Sequence, residues 1–170
     1  ELCGVQVRLS AQSFYQVNHD MAERLYKKAA EFAELDGSET VLDLYCGTGT
    51  IGLSMAKQAK KIIGAEIVPQ AVEDARENAR RNGIQNAEFF CGDASDAAER
   101  FREDGVCPDV VILDPARKGC AEDVLRTVAE MQPRKIVYVS CDSATLARDA
   151  AILAELGYPP EKLCAADLFP

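Results

Sequence analysis

Short apolar segments alternate with amphipathic segments along this 170-residue chain, and that alternation limits the possible folds most strongly. Strands that are apolar on both faces, each followed by a helix, belong to a parallel sheet that is covered on both sides. We therefore predict a doubly wound α/β fold in one domain over residues 1–170. The predicted strands are 40–45, 61–67, 87–92, 109–114, 135–140 and a sixth at 162–169, and the predicted helices are 21–35, 50–59, 69–83, 94–104, 121–131 and 143–156.

Composition limits the classes of function. No apolar run approaches the roughly 18–20 residues that span a bilayer, and the first residues lack the order of a signal peptide. The chain has 7 cysteines, an odd number, and none are spaced as C-x-x-C, which argues against a zinc site or a disulfide framework. This pattern favours a reducing, cytoplasmic location. The net charge of −9 argues against broad nonspecific binding to nucleic acid but leaves room for a local basic patch.

A glycine-rich loop follows the first predicted strand in "DLYCGTGTIG". Gly47, Gly49 and Gly52 stand in G-x-G-x-x-G register, which lets a backbone turn tightly and approach a ligand where a helix begins. Glu66 ends the second strand, 19 residues after Gly47, where an acid can accept hydrogen bonds from both ribose hydroxyls. The combination predicts a nucleoside cofactor without saying which one.

Two cofactors compete for this loop, a nicotinamide dinucleotide and S-adenosylmethionine. Asp93 follows the third strand, where it could accept a hydrogen bond from an adenine amino group. Asp114 follows the fourth strand, facing the place where a methyl group would be delivered, and Cys141 follows the fifth. A dehydrogenase would more often need a histidine or tyrosine proton donor, and His19 is the only histidine. The strand ends therefore favour S-adenosylmethionine.

Cys141 stands where a strand gives way to a helix, so its side chain is predicted to face solvent. Asp142 or Ser143 can cap that helix. A thiol at a helix N-terminus has its thiolate stabilised, which lowers the thiol pKa, and Arg117 and Lys118 could add positive charge or bind RNA phosphate. We interpret Cys141 as a nucleophile and the other cysteines as buried structural residues.

A nucleophilic thiol beside a methyl donor suits one methylation in particular. Uracil C5 is a poor nucleophile toward a methyl sulfonium, but a thiolate that adds to C6 makes C5 enolate-like. A general base must then remove the C5 proton so that the thiol can be expelled. Methylating a ring nitrogen or a hydroxyl would need no such thiol.

Four segments stand out in order along the chain: "SFYQVN" at 13–18, "DLYCGTGTIGL" at 43–53, "DPARKG" at 114–119 and "SCDSATLARD" at 140–149. With these segments the chain resembles, over essentially its whole length, the RNA uracil-C5-methyltransferases, which use S-adenosylmethionine to make 5-methyluridine in 23S ribosomal RNA or tRNA. The resemblance implies a class I methyltransferase domain in which Gln16, Tyr45, Glu66 and Asp114 contact the cofactor and Cys141 is the nucleophile. It implies an RNA substrate, with ribosomal RNA favoured over tRNA.

This chain departs from the family pattern at several points. Ala116 and Ser143 stand where the family usually has proline. The family's general-base glutamate lies in a final strand beyond an aromatic-proline segment, and this chain stops at Pro170. An amino-terminal RNA-binding barrel, which often accompanies an iron–sulfur cluster, is also missing. The resemblance thus implies a domain truncated at both ends, with no metal of its own.

Two consequences follow from that expected truncation. The missing strand should lie between the fifth and sixth, which leaves a sheet edge open to pairing with another chain. The domain could also be an inactive module that only binds S-adenosylmethionine, and a nicotinamide-dependent oxidoreductase is a weaker alternative. Separately, Asn18 or Asp20 is expected to cap the first helix, and Arg148 with Asp149 is expected to form a structural ion pair.

Overall fold

A computed structural model describes residues 1–8 and 18–168 of the chain. It contains a 5-stranded parallel sheet in the order β3-β2-β1-β4-β5, flanked by helices, which confirms the predicted doubly wound α/β fold. The strands are β1 Thr40–Leu44, β2 Lys61–Glu66, β3 Ala87–Cys91, β4 Val110–Leu113 and β5 Lys135–Tyr138. The helices are α1 His19–Ala33, α2 Thr50–Met55 with a 3₁₀ turn at Ala56–Gln58, α3 Pro69–Arg81, α4 Ala94–Glu103, α5 Glu122–Glu130 and α6 Ser143–Glu155.

Hydrophobic cores lie on both faces of the sheet because successive strand residues point to opposite sides. On one face, side chains such as Leu42, Val111 and Leu113 pack against α4, α5 and α6. On the other face, side chains such as Val41 and Ile112 pack against α1 and α2. The central strands are buried almost completely, which is why their sequences are apolar without alternation.

The C-terminal segment does not form the predicted sixth strand within 162–168, so that prediction is wrong for these residues. Leu163 is 83% exposed, and Lys162 instead forms an ion pair with Glu34 at 2.6 Å. A strand needs a neighbour to satisfy its backbone, and no described strand pairs with the outer side of β5. Local sequence alone does not show whether a strand-like segment has a described neighbour to pair with.

Capping residues set the starts of the helices. Asn18 accepts a hydrogen bond from the Met21 amide, so Asn18 rather than Asp20 caps α1. Asp142 caps α6 by accepting from the amides of Ala144 and Thr145. Both caps satisfy amides that a first helical turn leaves without partners.

Candidate cofactor and nucleophile site

The predicted site residues lie at one edge of the sheet because parallel strands present all their carboxyl ends together. Tyr45 follows β1, Glu66 ends β2 and Asp93 follows β3. Asp114 follows β4, and Cys141 lies just beyond β5. The topology therefore brings these residues to the same edge, while Gln16 lies outside the described residues.

The glycine loop uses its two leading glycines differently. Gly47 and Gly49 both have left-handed backbones, with φ of 55° and 79°. A Cβ on Gly49 would lie 3.0 Å from the Phe89 ring and 3.2 Å from the Ala75 Cβ, so Gly49 is needed for packing. A Cβ on Gly47 would meet nothing within 4 Å. Open space next to Gly47 leaves its backbone accessible to a ligand.

Glu66 ties the glycine loop to the end of β2. Its Oε2 accepts a hydrogen bond from the Gly47 amide at 3.1 Å, and its Oε1 accepts from the Val68 amide at 2.9 Å. An ionised carboxylate offers about four acceptor positions, so two amides leave capacity for further donors. The half-buried Glu66 side chain can therefore hold the loop and still receive the two hydroxyls of a ribose.

Asp43, which the sequence analysis did not single out, is a buried acid inside β1. Its Oδ2 accepts a hydrogen bond from the Gly52 amide at 3.0 Å, and its Oδ1 has no partner among the described residues. Burial, and then the charge of Asp114, raises the pKa of Asp43 to about 8. An acid within the apolar run "VLDL" was the signal that could have revealed it.

Asp114 lies half-buried where β4 ends. Desolvation raises the pKa of its carboxyl to about 7. Tyr26 of α1 is buried, and the pKa of its hydroxyl is raised first by burial and next by the charge of Asp114. Asp43, Asp114 and Tyr26 thus form a polar cluster at the ends of β1 and β4, which would favour a cationic ligand.

Tyr45 adopts a left-handed backbone with φ of 67°, a conformation that side chains other than glycine rarely adopt. The residue is half-buried, and burial followed by the neighbouring Cys120 raises the pKa of its hydroxyl. Such backbone strain costs on the order of 1–3 kcal/mol and often occurs at ligand sites. The turn after β1 is therefore held in a costly shape by the surrounding structure.

Cys141 is exposed, as predicted, and lies directly before the α6 cap Asp142. Ser140 fixes this turn, because its Oγ donates to the Asp142 carbonyl at 2.8 Å and accepts from the Asp142 amide at 3.1 Å. Backbone hydrogen bonds lower the pKa of the Asp142 carboxyl, and the charge of Arg117 lowers it further. The thiol is thus presented to solvent at a helix start, near a loop arginine.

The prediction that the remaining cysteines are buried is wrong for half of them. Cys46 and Cys120 are buried and Cys3 is half-buried, but the other three are exposed. Cys91 ends the edge strand β3, and Cys107 lies in the loop before β4. The remaining exposed residue, Cys164, lies in the segment that forms no strand. Exposure alone therefore does not distinguish Cys141.

Asp93 is exposed and caps α4, since its side chain accepts a hydrogen bond from the Ser95 amide at 2.9 Å. Arg117 and Lys118 are exposed in the loop after β4.

Among the residues that the structure describes, no cluster of histidine, cysteine or acidic side chains could hold a metal ion. In the same part of the chain, no helix has the length and apolar character needed to cross a membrane.

Sequence comparison finds strong similarity to RNA-modifying enzymes. The family model described as tRNA (uracil-5-)-methyltransferase matches residues 4–169. An uncharacterized RNA methyltransferase of Bacillus cereus (strain ATCC 10987) is 48% identical over 166 residues, which are 98% of this chain and 36% of that protein. One from Clostridium acetobutylicum is 49% identical over 95% of this chain and 35% of that protein. The chain thus spans about a third of the length of these relatives.

Solved structures share the architecture. The Pyrococcus abyssi tRNA (uracil-54, C5)-methyltransferase, in complex with S-adenosyl-L-homocysteine, aligns with a TM-score of 0.76 and 33% identity over 88% of this chain and 36% of that one. The precorrin-6y C5,15-methyltransferase of Geobacter metallireducens aligns with a TM-score of 0.73 and 15% identity, over 89% of this chain and 77% of that one, which bears on the fold alone. The fold is therefore the Rossmann-like fold of S-adenosylmethionine-dependent methyltransferases.

Proposed function

Because this chain belongs to the tRNA (uracil-5-)-methyltransferase family, we propose that it forms the domain that methylates C5 of a uridine in RNA through a covalent adduct of Cys141. The observation that carries the proposal is an exposed thiol directly before the Asp142 cap of α6, at the carboxyl ends of the strands where the glycine loop also lies. Our expected substrate is 23S ribosomal RNA, with tRNA as the alternative.

The strand ends fit S-adenosylmethionine. When bound, this cofactor supplies an electrophilic methyl group on a positively charged sulfur. Glu66 has acceptor positions left for ribose hydroxyls, and the open side of Gly47 lets the backbone come close. Asp114 and the Oδ1 of Asp43, which has no partner among the described residues, can ionise to offer negative charge in a buried setting, where a cation gains most. The proposed cofactor-binding residues also include Asp93, Tyr45, Gln16 and Gly49.

The Cys141 thiolate would begin the reaction by forming a bond from Sγ to C6 of the uracil. The electron pair of the C5–C6 double bond then moves onto C5, which becomes nucleophilic enough to accept the methyl group, and the donor is left as neutral S-adenosylhomocysteine. Loss of the C5 proton to a base restores the double bond and expels the Cys141 thiolate. Arg117 and Lys118 would hold the RNA through its phosphates during these steps.

Covalent trapping tests this proposal. A 5-fluorouridine base has no C5 proton to lose, so its adduct accumulates whatever group serves as the base. We expect the protein, S-adenosylmethionine and a 5-fluorouridine transcript of 23S ribosomal RNA or tRNA to give a denaturation-resistant complex. Cys141→Ala should abolish the complex, while Cys164→Ala, at another exposed thiol, should leave it intact. A complex that survives Cys141→Ala, or its absence from the unmodified protein with both RNAs, would contradict the proposal.

A second candidate is a module that binds the cofactor without catalysis, which is favoured by the remaining acceptor positions of Glu66 and the open side of Gly47, since these need no nucleophile. Calorimetry with S-adenosylhomocysteine separates this module from a protein that does not use the cofactor. Binding without any adduct would support the module. Binding of NAD in place of S-adenosylhomocysteine would support the oxidoreductase alternative and exclude the methyltransferase assignment.

A further inference from the structure

One face of α6 forms hydrogen bonds with the backbone of the loop that follows β4. Thr145, Arg148 and Asp149 lie three and four residues apart, so they share one side of the helix, and we call them the clamp face. The Thr145 Oγ1 lies 3.1 Å from the Arg117 carbonyl and 3.2 Å from the Asp142 carbonyl, within donating distance of both. A single hydroxyl thereby joins the loop after β4 to the turn after β5.

The other two residues of the clamp face hold the next part of the same loop by its backbone. Arg148 Nη2 donates to the carbonyls of Lys118 at 3.0 Å and Cys120 at 3.1 Å. Asp149 Oδ2 accepts from the Cys120 amide at 2.8 Å. The contacts involve main-chain groups, so the clamp face fixes the path of the loop and leaves its side chains free to project.

Asp149 is fully buried and well satisfied. Besides the Cys120 amide, its Oδ2 accepts from the Tyr138 hydroxyl at 2.5 Å, and its Oδ1 accepts from Arg148 Nε at 2.7 Å. A buried carboxylate is tolerated when it is paired and hydrogen-bonded, and losing one partner is then costly. The expected structural ion pair is present, but it belongs to a network that reaches the site.

Gly119 shows how closely the loop approaches the helix. It has a left-handed φ of 74°, and an added Cβ would lie 2.5 Å from Asp149 Oδ2, 2.6 Å from Arg148 Nη2 and 3.2 Å from the Thr145 Cβ. A residue with a Cβ here would have to displace either the loop or the side chains of the clamp face. Glycine therefore permits the close approach that the backbone contacts of Lys118 and Cys120 require.

The clamp face connects the two strand ends that the proposed reaction uses. The 114–120 loop begins at Asp114 and exposes Arg117 and Lys118, while α6 begins next to Cys141. We infer that the clamp face is a positioning element that fixes the 114–120 loop relative to Cys141, so that RNA held by the loop presents its base to the thiol. This inference rests on the proposed function and extends it to residues that would not touch the substrate.

Matched substitutions test the inference through the rate of 5-fluorouridine adduct formation. Thr145→Val keeps the shape and removes the hydroxyl, whereas Thr145→Ser keeps the hydroxyl. We expect Thr145→Val and Arg148→Gln to slow adduct formation about 10- to 100-fold, as displaced reacting groups do. Thr145→Ser should stay within about threefold, and S-adenosylhomocysteine affinity should be unchanged in all of them. Arg126→Gln, which breaks an exposed ion pair with Glu122 on α5, is the control.

Hydrogen exchange gives a readout independent of catalysis. The Cys120 amide should exchange at least about tenfold faster in Thr145→Val and Arg148→Gln than in the unmodified protein and in Arg126→Gln. Unchanged exchange would overturn the inference, as would faster exchange with an unchanged adduct rate. If the unmodified protein forms no adduct while exchange responds as expected, the proposed function is wrong. The result would still support the inference that the clamp face fixes the 114–120 loop. Thr145→Val is the milder change should Arg148→Gln fail to fold.

Discussion

At the scale of single residues, two carboxyl groups at neighbouring strands shape the electrostatics of the site. Asp43 and Asp114 have pKa values raised to about 8 and about 7, with burial as the main cause. At neutral pH, part of this pair is therefore protonated and uncharged. A ligand with positive charge nearby would favour the ionised carboxylates and release a proton as it binds.

Cofactor affinity should consequently depend on pH. The ligand-free Asp114 holds its proton below a pH of about 7, so binding that requires its ionised form should strengthen from pH 5.5 to 7 and level off above about 8. The gain is at most about tenfold per pH unit for one proton. Calorimetry in buffers of different ionisation enthalpy measures both the affinity and the protons released. Asp114→Asn should bind more weakly and show a smaller pH dependence, because Asp43 still titrates, while Asp104→Asn, in an exposed ion pair with Arg100, should change neither.

The cysteines show what the sequence could and could not specify at this scale. The exposure of Cys141 follows from its place between a strand and a helix, which the local pattern determines. The exposure of Cys91 depends on β3 being an edge strand, and the exposure of Cys107 depends on the path of the loop before β4. Both are set by the whole fold. Asp43 stands out locally as an acid in an apolar run, but its hydrogen bond to the Gly52 amide and its interaction with Asp114 depend on the fold.

At the scale of elements, the start of α6 depends on Asp142. Its Oδ1 accepts from the amides of Ala144 and Thr145, both at 3.0 Å. We expect Asp142→Ala to lower the free energy of unfolding by about 1 kcal/mol and Asp142→Asn by less, since asparagine is also a good cap. Urea denaturation measures both. An alanine variant as stable as the unmodified protein would show that the cap contributes little.

Local patterns predicted most elements but not every boundary or partner. The strands β1–β5 and the helices between them were predictable because apolar runs, Pro69 at a helix start and Asp142 at a cap are local signals. The segment 162–168 has strand-like composition but pairs with no described strand, so local reasoning failed there. The clamp face was likewise hidden, because contacts between α6 and the loop after β4 join residues about 30 positions apart.

At the scale of the whole molecule, β5 is an edge of the described sheet. The amides of Lys135 and Val139 donate to Asp109 and Leu113 on the side of β4. Alternate residues of a strand point their amides the opposite way, so the amide of Ile136 faces outward. An edge with unpaired donors and acceptors can recruit another strand, and the sequence-based prediction of self-association stays a prediction.

Sedimentation tests the prediction of self-association. The average mass should rise with protein concentration, and added salt should increase it further by screening the repulsion between copies of net charge −9. Ile136→Pro removes an outward donor without breaking a bond to β4, so it should shift the equilibrium toward monomer, while Ile136→Val should not. Equal association of the two variants would place the contact elsewhere.

The hydrogen bonds of Glu66 have a consequence for how substitutions at this position are interpreted. The carboxylate that is proposed to receive the ribose also holds the Gly47 amide at 3.1 Å, before any ligand arrives. Affinity lost on truncating Glu66 would therefore combine missing ligand contacts with the cost of reorganising a loop. The two contributions are non-additive, and only a thermodynamic cycle using ligands with and without the ribose hydroxyls separates them.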